Sequence, residues 1–262
     1  MMEMKKSLML SLLTLVAVTM TSCLHVRVNA DKAMPTQVHQ VGQDVTMEAY
    51  DEIDVAGPFN VFYEQGDNYS VRVDGATDQL GKMTIYVKDG ELTIRALDHV
   101  GEKALKIHDG DFDGMRIFLT APAIKGVDLA GSGRVTMPGA LSVVSMDIDL
   151  AGSGEVTLAQ LTCTDLDVDV SGSGAVTTGP VKADQVDVDL AGSGRISMAA
   201  LTCKKVVNDL AGSGVITLSN LDVEHVSSDI AGSGRVILSG HVGNHQENVV
   251  GSGKVDVTGL NP

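Results

Sequence analysis

Residues Asp149 to Leu158 read DLAGSGEVTL, and the phrase returns as DLAGSGRISM from Asp189, DLAGSGVITL from Asp209 and DIAGSGRVIL from Asp229. Its Gly-Ser-Gly triplet begins at Gly131, Gly152, Gly172, Gly192, Gly212, Gly232 and Gly251, with spacings of 21, 20, 20, 20, 20 and 19. A period near 20 held over seven copies marks a solenoid, whose repeats bury their apolar sides by stacking on one another.

Stacking the copies assigns an inside and an outside. After the triplet come Val135, Val156, Val176, Ile196, Ile216, Val236 and Val255, and two residues later Met137, Leu158, Thr178, Met198, Leu218, Leu238 and Val257. Thr136, Thr157, Thr177, Ser197 and Thr217 lie between them, so the period is that of a strand with its apolar side inward. A second short strand carries Leu141, Leu161, Val181, Leu201 and Leu221. A third precedes the next triplet, as in Leu166-Asp-Val-Asp-Val170. Three strands per 20 residues predict an all-β fold, a three-sided parallel β-helix. With one strand spacing of about 4.8 Å per coil, seven coils make a prism roughly 34 Å long. Cys163 and Cys203 fall in one inward column two coils apart, about 9.6 Å, beyond the reach of a disulfide, and are expected as buried free thiols.

The chain carries 34 acidic and 19 basic residues, a net charge of −15, which argues against nucleic acid or an anionic membrane surface as a partner. Lys5 and Lys6 precede a 13-residue apolar run, Leu8 to Met20, which is short for a membrane span. Met20-Thr21-Ser22-Cys23 then resembles a bacterial lipobox. The expected organisation is a lipoprotein signal peptide (1–22), a lipidated tether from Cys23 to residue 48, an N-terminal β section capping the solenoid (49–122) and the repeat coils (123–262). The expected partners are a membrane, through the lipid, and a protein or glycan ligand. The expected location is the outer membrane, facing the periplasm or the cell surface. No acidic run follows Cys23, which favours the periplasmic side.

The triplet itself is a corner. A phosphate loop leads from a strand into a helix, whereas here another strand follows. Calcium-binding tandem repeats use nine-residue units. Seven equivalent serines without a partnered histidine are not nucleophiles. Glycine supplies the positive φ of a tight bend, with the serine packed into it.

Residues 49–122 hold all eight aromatic residues, and Asp89-Gly90 between Met83–Val87 and Glu91–Arg95 signals a hairpin. YDEIDVAGPFNVFYEQGDNYSVRV (Tyr50 to Val73), KDGELTIRA, Leu119-Thr-Ala-Pro122 and the Gly-Ser-Gly coils together resemble the putative auto-transporter adhesin head, or GIN, domain family of bacterial envelope lipoproteins. The resemblance implies a right-handed β-helix-like solenoid and an envelope location, and brings no catalytic residues. His108 to Gly114 (HDGDFDG) is a longer loop than the family's pattern.

The outward carboxylates are the candidate binding face. Asp128, Asp149, Asp169, Asp189, Asp209 and Asp229 form one file, and Asp147, Asp167 and Asp187 a second beside it. Neighbours 4.8 Å apart repel by about 0.9 kcal/mol even in water. Relief is expected from hydrogen bonds to the Gly-Ser-Gly backbone, from Arg134, Arg195, Arg235 and Lys254 past the turn, or from a hard cation such as Ca²⁺. Asp109, Asp111 and Asp113 match the first half of a calcium loop, but Thr120 stands where the bidentate Glu belongs. His225, His241 and His245 near Glu224 are a further metal candidate. Residues 119–262 contain no aromatic, which argues against ring stacking of sugars on the repeat sides. These residues point to a non-enzymatic, lipid-anchored adhesion, binding or scaffold module with no catalytic site and no cofactor beyond a possible Ca²⁺. The alternative is a β-helix enzyme or binder acting on acidic polysaccharide, Ca²⁺-dependent if the carboxylates hold the ion; an enzyme would interrupt the repeat with long loops that form a cleft.

Overall fold

A computed structural model describes residues 38, 40–97, 99–100, 103–104 and 110–261. The signal peptide, Cys23 and Asp109 lie outside the described residues.

The N-terminal section comprises β1 (Asp44–Thr46), β2 (Glu52–Ala56), β3 (Asn60–Gln65), β4 (Ser70–Asp74), one helical turn α1 (Thr77–Leu80), β5 (Met83–Lys88), β6 (Glu91–Ala96), β7 (His99–Val100), β8 (Lys103–Ala104) and β9 (Arg116–Ala121). The expected hairpin joins β5 and β6 antiparallel, with Asp89 and Gly90 both at positive φ (54° and 90°), as a type I′ turn requires. β6 and β9 run parallel to β2 and β3, whereas β4 and β5 lie antiparallel on β9 and β6 and close the ladder. Val38 and residues 40–48, expected as tether, belong to this cap. β1 pairs antiparallel with β4, and Val38 and Met47 are buried. A three-residue strand is too short to show a period in the sequence.

Aromatic side chains fill the cap. Tyr50, Phe59 and Tyr63 are buried, Phe59 meets Phe112 edge-on at 4.7 Å, and the Tyr50 and Tyr63 hydroxyls donate to the carbonyls of Thr120 and Ala121.

The cap's levels do not follow chain order. β10 (Gly126–Gly131) stacks on β2, so the β2–β3 level lies between the β6–β9 level and the repeats. The chain therefore skips a level between β9 and β10. The Gln65 amide occupies part of the second side there, donating to the carbonyls of Pro122 (2.6 Å) and Ser142 (3.2 Å) and accepting from Ser142 N–H (3.1 Å). It thus satisfies peptide groups that a strand would otherwise have served.

The repeats continue as β11 (Arg134–Ser142), β12 (Ser145–Gly152), β13 (Glu155–Thr162), β14 (Asp165–Gly172), β15 (Ala175–Lys182), β16 (Gln185–Gly192), β17 (Arg195–Gly212), β18 (Val215–Gly232), β19 (Arg235–Gly251) and β20 (Lys254–Asn261). They form a β-solenoid of about 7 turns with about 20 residues per coil. Every triplet falls in register with the next, from Gly131 opposite Gly152 to Gly232 opposite Gly251. The alternation of burial breaks at Ala159-Gln160 and at Thr164-Asp165, so these positions and the triplet are the three corners. Ladder hydrogen bonds carry on through the first of these bends, and β17 and β18 run for 18 residues each around all three sides. The sides are those expected, but the strands are longer.

Two glycines make each triplet corner. The first takes positive φ, 127° at Gly192, and a Cβ there would lie 2.3 Å from the Gly172 carbonyl oxygen. A Cβ on the second, Gly194, would lie 2.6 Å from that of Gly174. The serine between them is exposed, and its amide donates to the coil beneath, as Ser193 N does to Gly172 O (2.8 Å). The hydroxyls thus line the outer corner and are not packed into the bend. Cys203 is buried, Cys163 is half-buried, and both are free.

Candidate functional site

Strand alternation on the third side, the one before each triplet, sends Asp outward and Leu, Val or Ile inward. The parallel register then stacks Asp128, Asp149, Asp169, Asp189, Asp209 and Asp229 as expected. Asp54 of β2 extends this file below Asp128. Its signature was present in the sequence, since Ile53-Asp-Val-Ala-Gly57 repeats Val127-Asp-Leu-Ala-Gly131 without the Ser-Gly. The file ends in neutralising residues. Arg95 pairs with Asp54 at 3.0 Å, and Asn248 follows Asp229. Asp147, Asp167 and Asp187 stack beside it, and Val207 and Ser227 continue that second file without charge. On the other flank Ala130, Ala151, Ser171, Ala191, Ala211 and Ala231 form a low shelf, which leaves a shallow trough along the carboxylates.

The expected sources of relief do not operate. The triplet's serine amides are taken by the coil beneath, so among the described residues the corner backbone does not cap the carboxylates. Arg134 turns to Glu155 at 2.7 Å. Arg195, Arg235 and Lys254 are exposed on the first side, and among the described residues none lies within ion-pair distance of a carboxylate. The file responds by holding protons. Partial burial, then a hydrogen bond with Asp149 and its charge, pushes Asp128 up to about 6. Partial burial, then the charges of Asp169 and Asp209, pushes Asp189 up to about 6 as well. Asp167, Asp169 and Asp209 are also raised, first by burial and then by neighbouring carboxylates.

The other candidates take structural places. Asp111 meets Lys82 Nζ at 2.7 Å, Phe112 plugs the cap, and Asp113 is exposed. His225 stands opposite Asn244, and His245 opposite Val226, so the two histidines point to opposite sides of the sheet. Among the described residues no three of His, Cys, Asp or Glu converge on a possible metal position. Inward polarity appears at the C-terminal end, where Asn208 and Ser228 are buried and hydrogen-bonded to each other at 3.3 Å.

A family model described as "Putative auto-transporter adhesin, head GIN domain" matches residues 49–219 and again 208–261. Among solved structures, a putative adhesin from Bacteroides fragilis is 22% identical with a TM-score of 0.71, covering 86% of this chain and 97% of that one. A putative lipid binding protein from Parabacteroides distasonis (20%, TM-score 0.64, 88% and 98%) and a putative adhesin from Parabacteroides merdae (18%, 0.66, 88% and 98%) are also similar. At these identities the likeness concerns the fold. No curated protein matches the chain.

Proposed function

The chain belongs to the auto-transporter adhesin head (GIN domain) family, and we propose that it is a non-catalytic, lipid-anchored binding module of the bacterial envelope. One observation carries the non-catalytic reading. From β10 to β20 every connection between strands is two residues long, so these coils build no loop-walled cleft in which a substrate would be enclosed. A ladder that repeats its inward columns and corners from level to level singles out no reacting centre. It offers long flat sides suited to many weak, repeated contacts. Lys5, Lys6, the apolar run to Met20 and the small residues before Cys23 support lipid attachment at the Cys23 thiol. Two or more acyl chains would hold the protein stably in a membrane.

The test has two arms. Growth with a clickable fatty acid should label the chain in the envelope fraction, and Cys23→Ser should remove the label. Beads carrying the chain by its N-terminus should be captured by arrayed envelope proteins or glycans. New reducing ends released from any arrayed glycan would overturn the non-catalytic reading.

A further inference from the structure

The first side of the solenoid differs in character from the third. Its outward file runs Phe118, Phe62, Thr136, Thr157, Thr177, Ser197 and Thr217 in continuous register and ends in Ile237 and Asp256. Two half-buried aromatic rings therefore extend the hydroxyl ladder at its N-terminal end, although the repeats themselves contain none. The rings stack at 5.3 Å, with Arg72 and Arg116 at 4.6 and 5.7 Å from the Phe118 ring. Next to the hydroxyl ladder runs a second outward file, which holds Arg134, Glu155, Ala175, Arg195, Val215, Arg235 and Lys254. Glu155 is its sole carboxylate and is already engaged by Arg134. Arg195, Arg235 and Lys254 are exposed and outside ion-pair distance of a carboxylate among the described residues, although Asp256, two residues past Lys254, is held down first by hydrogen bonds from Thr258 and then by the charge of Arg235. Beyond them the triplet serines form a third file, and Ser213, Ser233 and Ser252 line a shallow groove with Arg235 and Lys254.

We propose that the first side and its serine corner form the binding face, and that the ligand is an acidic polysaccharide lying along the solenoid axis. The inference rests on the binding-module reading and adds to it the face and the ligand class. Free guanidinium and ammonium groups complement carboxylate or sulfate, and Arg adds planar, bidentate recognition. Hydroxyl files on both flanks match a ligand rich in vicinal hydroxyls. The stacked Phe62 and Phe118 rings, with Arg72 over Phe118, give one end an apolar edge bordered by a cation. Arg195 and Arg235 are two coils apart, about 9.6 Å, and Lys254 is one coil further, about 4.8 Å, a rise comparable with successive pyranose units. Charges on the third side do not cancel this strip, because the corner turns them away and salt screens exposed charges over about 8 Å.

The experiment uses affinity electrophoresis and calorimetry of the chain with polygalacturonate and heparin, with dextran and single-stranded DNA as controls. Binding to one or both acidic glycans at physiological ionic strength, weakened at least tenfold at about 0.5 M NaCl and absent with dextran, is expected. The triple variant Arg195→Ala, Arg235→Ala, Lys254→Ala should weaken it at least tenfold, and Phe62→Ala several-fold, while Gln160→Ala, at an exposed corner away from this side, should leave it unchanged. The cations are fully outward, so an unchanged melting curve shows that the triple variant folds. Failure to bind either acidic glycan, an unaffected triple variant or equal affinity for DNA overturns the proposal. Capture of the same chain by an arrayed protein or neutral glycan would leave the binding-module reading standing while removing this one.

Discussion

The cap and the coils solve the same problem by different means. Both must close a stack of strands around an apolar centre. The coils do so with small and β-branched side chains repeated in register, and with corners that leave no room for a Cβ. The cap uses Tyr50, Phe59, Tyr63 and Phe112, antiparallel edge strands and a glutamine amide standing in for missing backbone. A repeat is held by identical neighbours on both sides, so backbone fit matters most there. An end has a neighbour on one side only and must fill and cover it with bulk. The C-terminal end takes a third course, because one inward column turns polar at Asn208 and Ser228 and passes to Glu247 on the last third-side strand. Polar inward groups at a sheet edge discourage further strand addition.

The contrast can be broken at single residues. Phe59→Ala should produce the largest loss, about 3–5 kcal/mol, because it empties the cap beneath Phe112. Chemical denaturation would measure it, and a loss under 1 kcal/mol would show that bulk is not what closes this end. Gly192→Ala should cost about 2–4 kcal/mol, combining a positive φ with collision against the coil beneath. Gly139→Ala, where a Cβ meets nothing within 4 Å, serves as its control and should be nearly neutral.

Acidity sharpens the comparison further. Asp128 and Asp189 keep their protons up to about pH 6 in the folded chain, against 3.8 for the unassisted group. Between those values the folded state binds more protons than the unfolded one, so stability rises as pH falls. Lowering pH from 7.5 to 5.5 should raise the melting temperature by about 2–5 °C, and a fall would contradict the raised carboxyls. Asp189→Asn should raise it by about 1–3 °C at pH 7.5 and by less at pH 5, since Asn removes a charge that acid already neutralises. The smallest effect concerns Cys163 and Cys203. Mild oxidant should leave both thiols titratable after unfolding, because the burial that pushes them up to about 11 and 12 leaves little thiolate.

Much of the repeat was readable residue by residue. Val156, Leu158, Leu166 and Val168 declared the inside, and the triplet declared the corner. Asp54 was equally legible through its Ile-Asp-Val-Ala-Gly signature, but lay outside the Gly-Ser-Gly count. Nothing local places β2 between β6 and β10, because that order rests on pairings between segments far apart in the chain. The chain position of Arg195 and Arg235 likewise suggested that they would neutralise the aspartates, whereas the corner carries them onto another side.

By itself the sequence determined the period, the alternation and the corners of this protein, because each coil is specified by short-range pattern and touches only its neighbours. The tertiary structure decided which strands share a level in the cap, which carboxylates lack a cation and which rings join the hydroxyl ladder. Those outcomes depend on register between distant strands and on the direction in which a bend sends a side chain. Distance along the chain specifies neither.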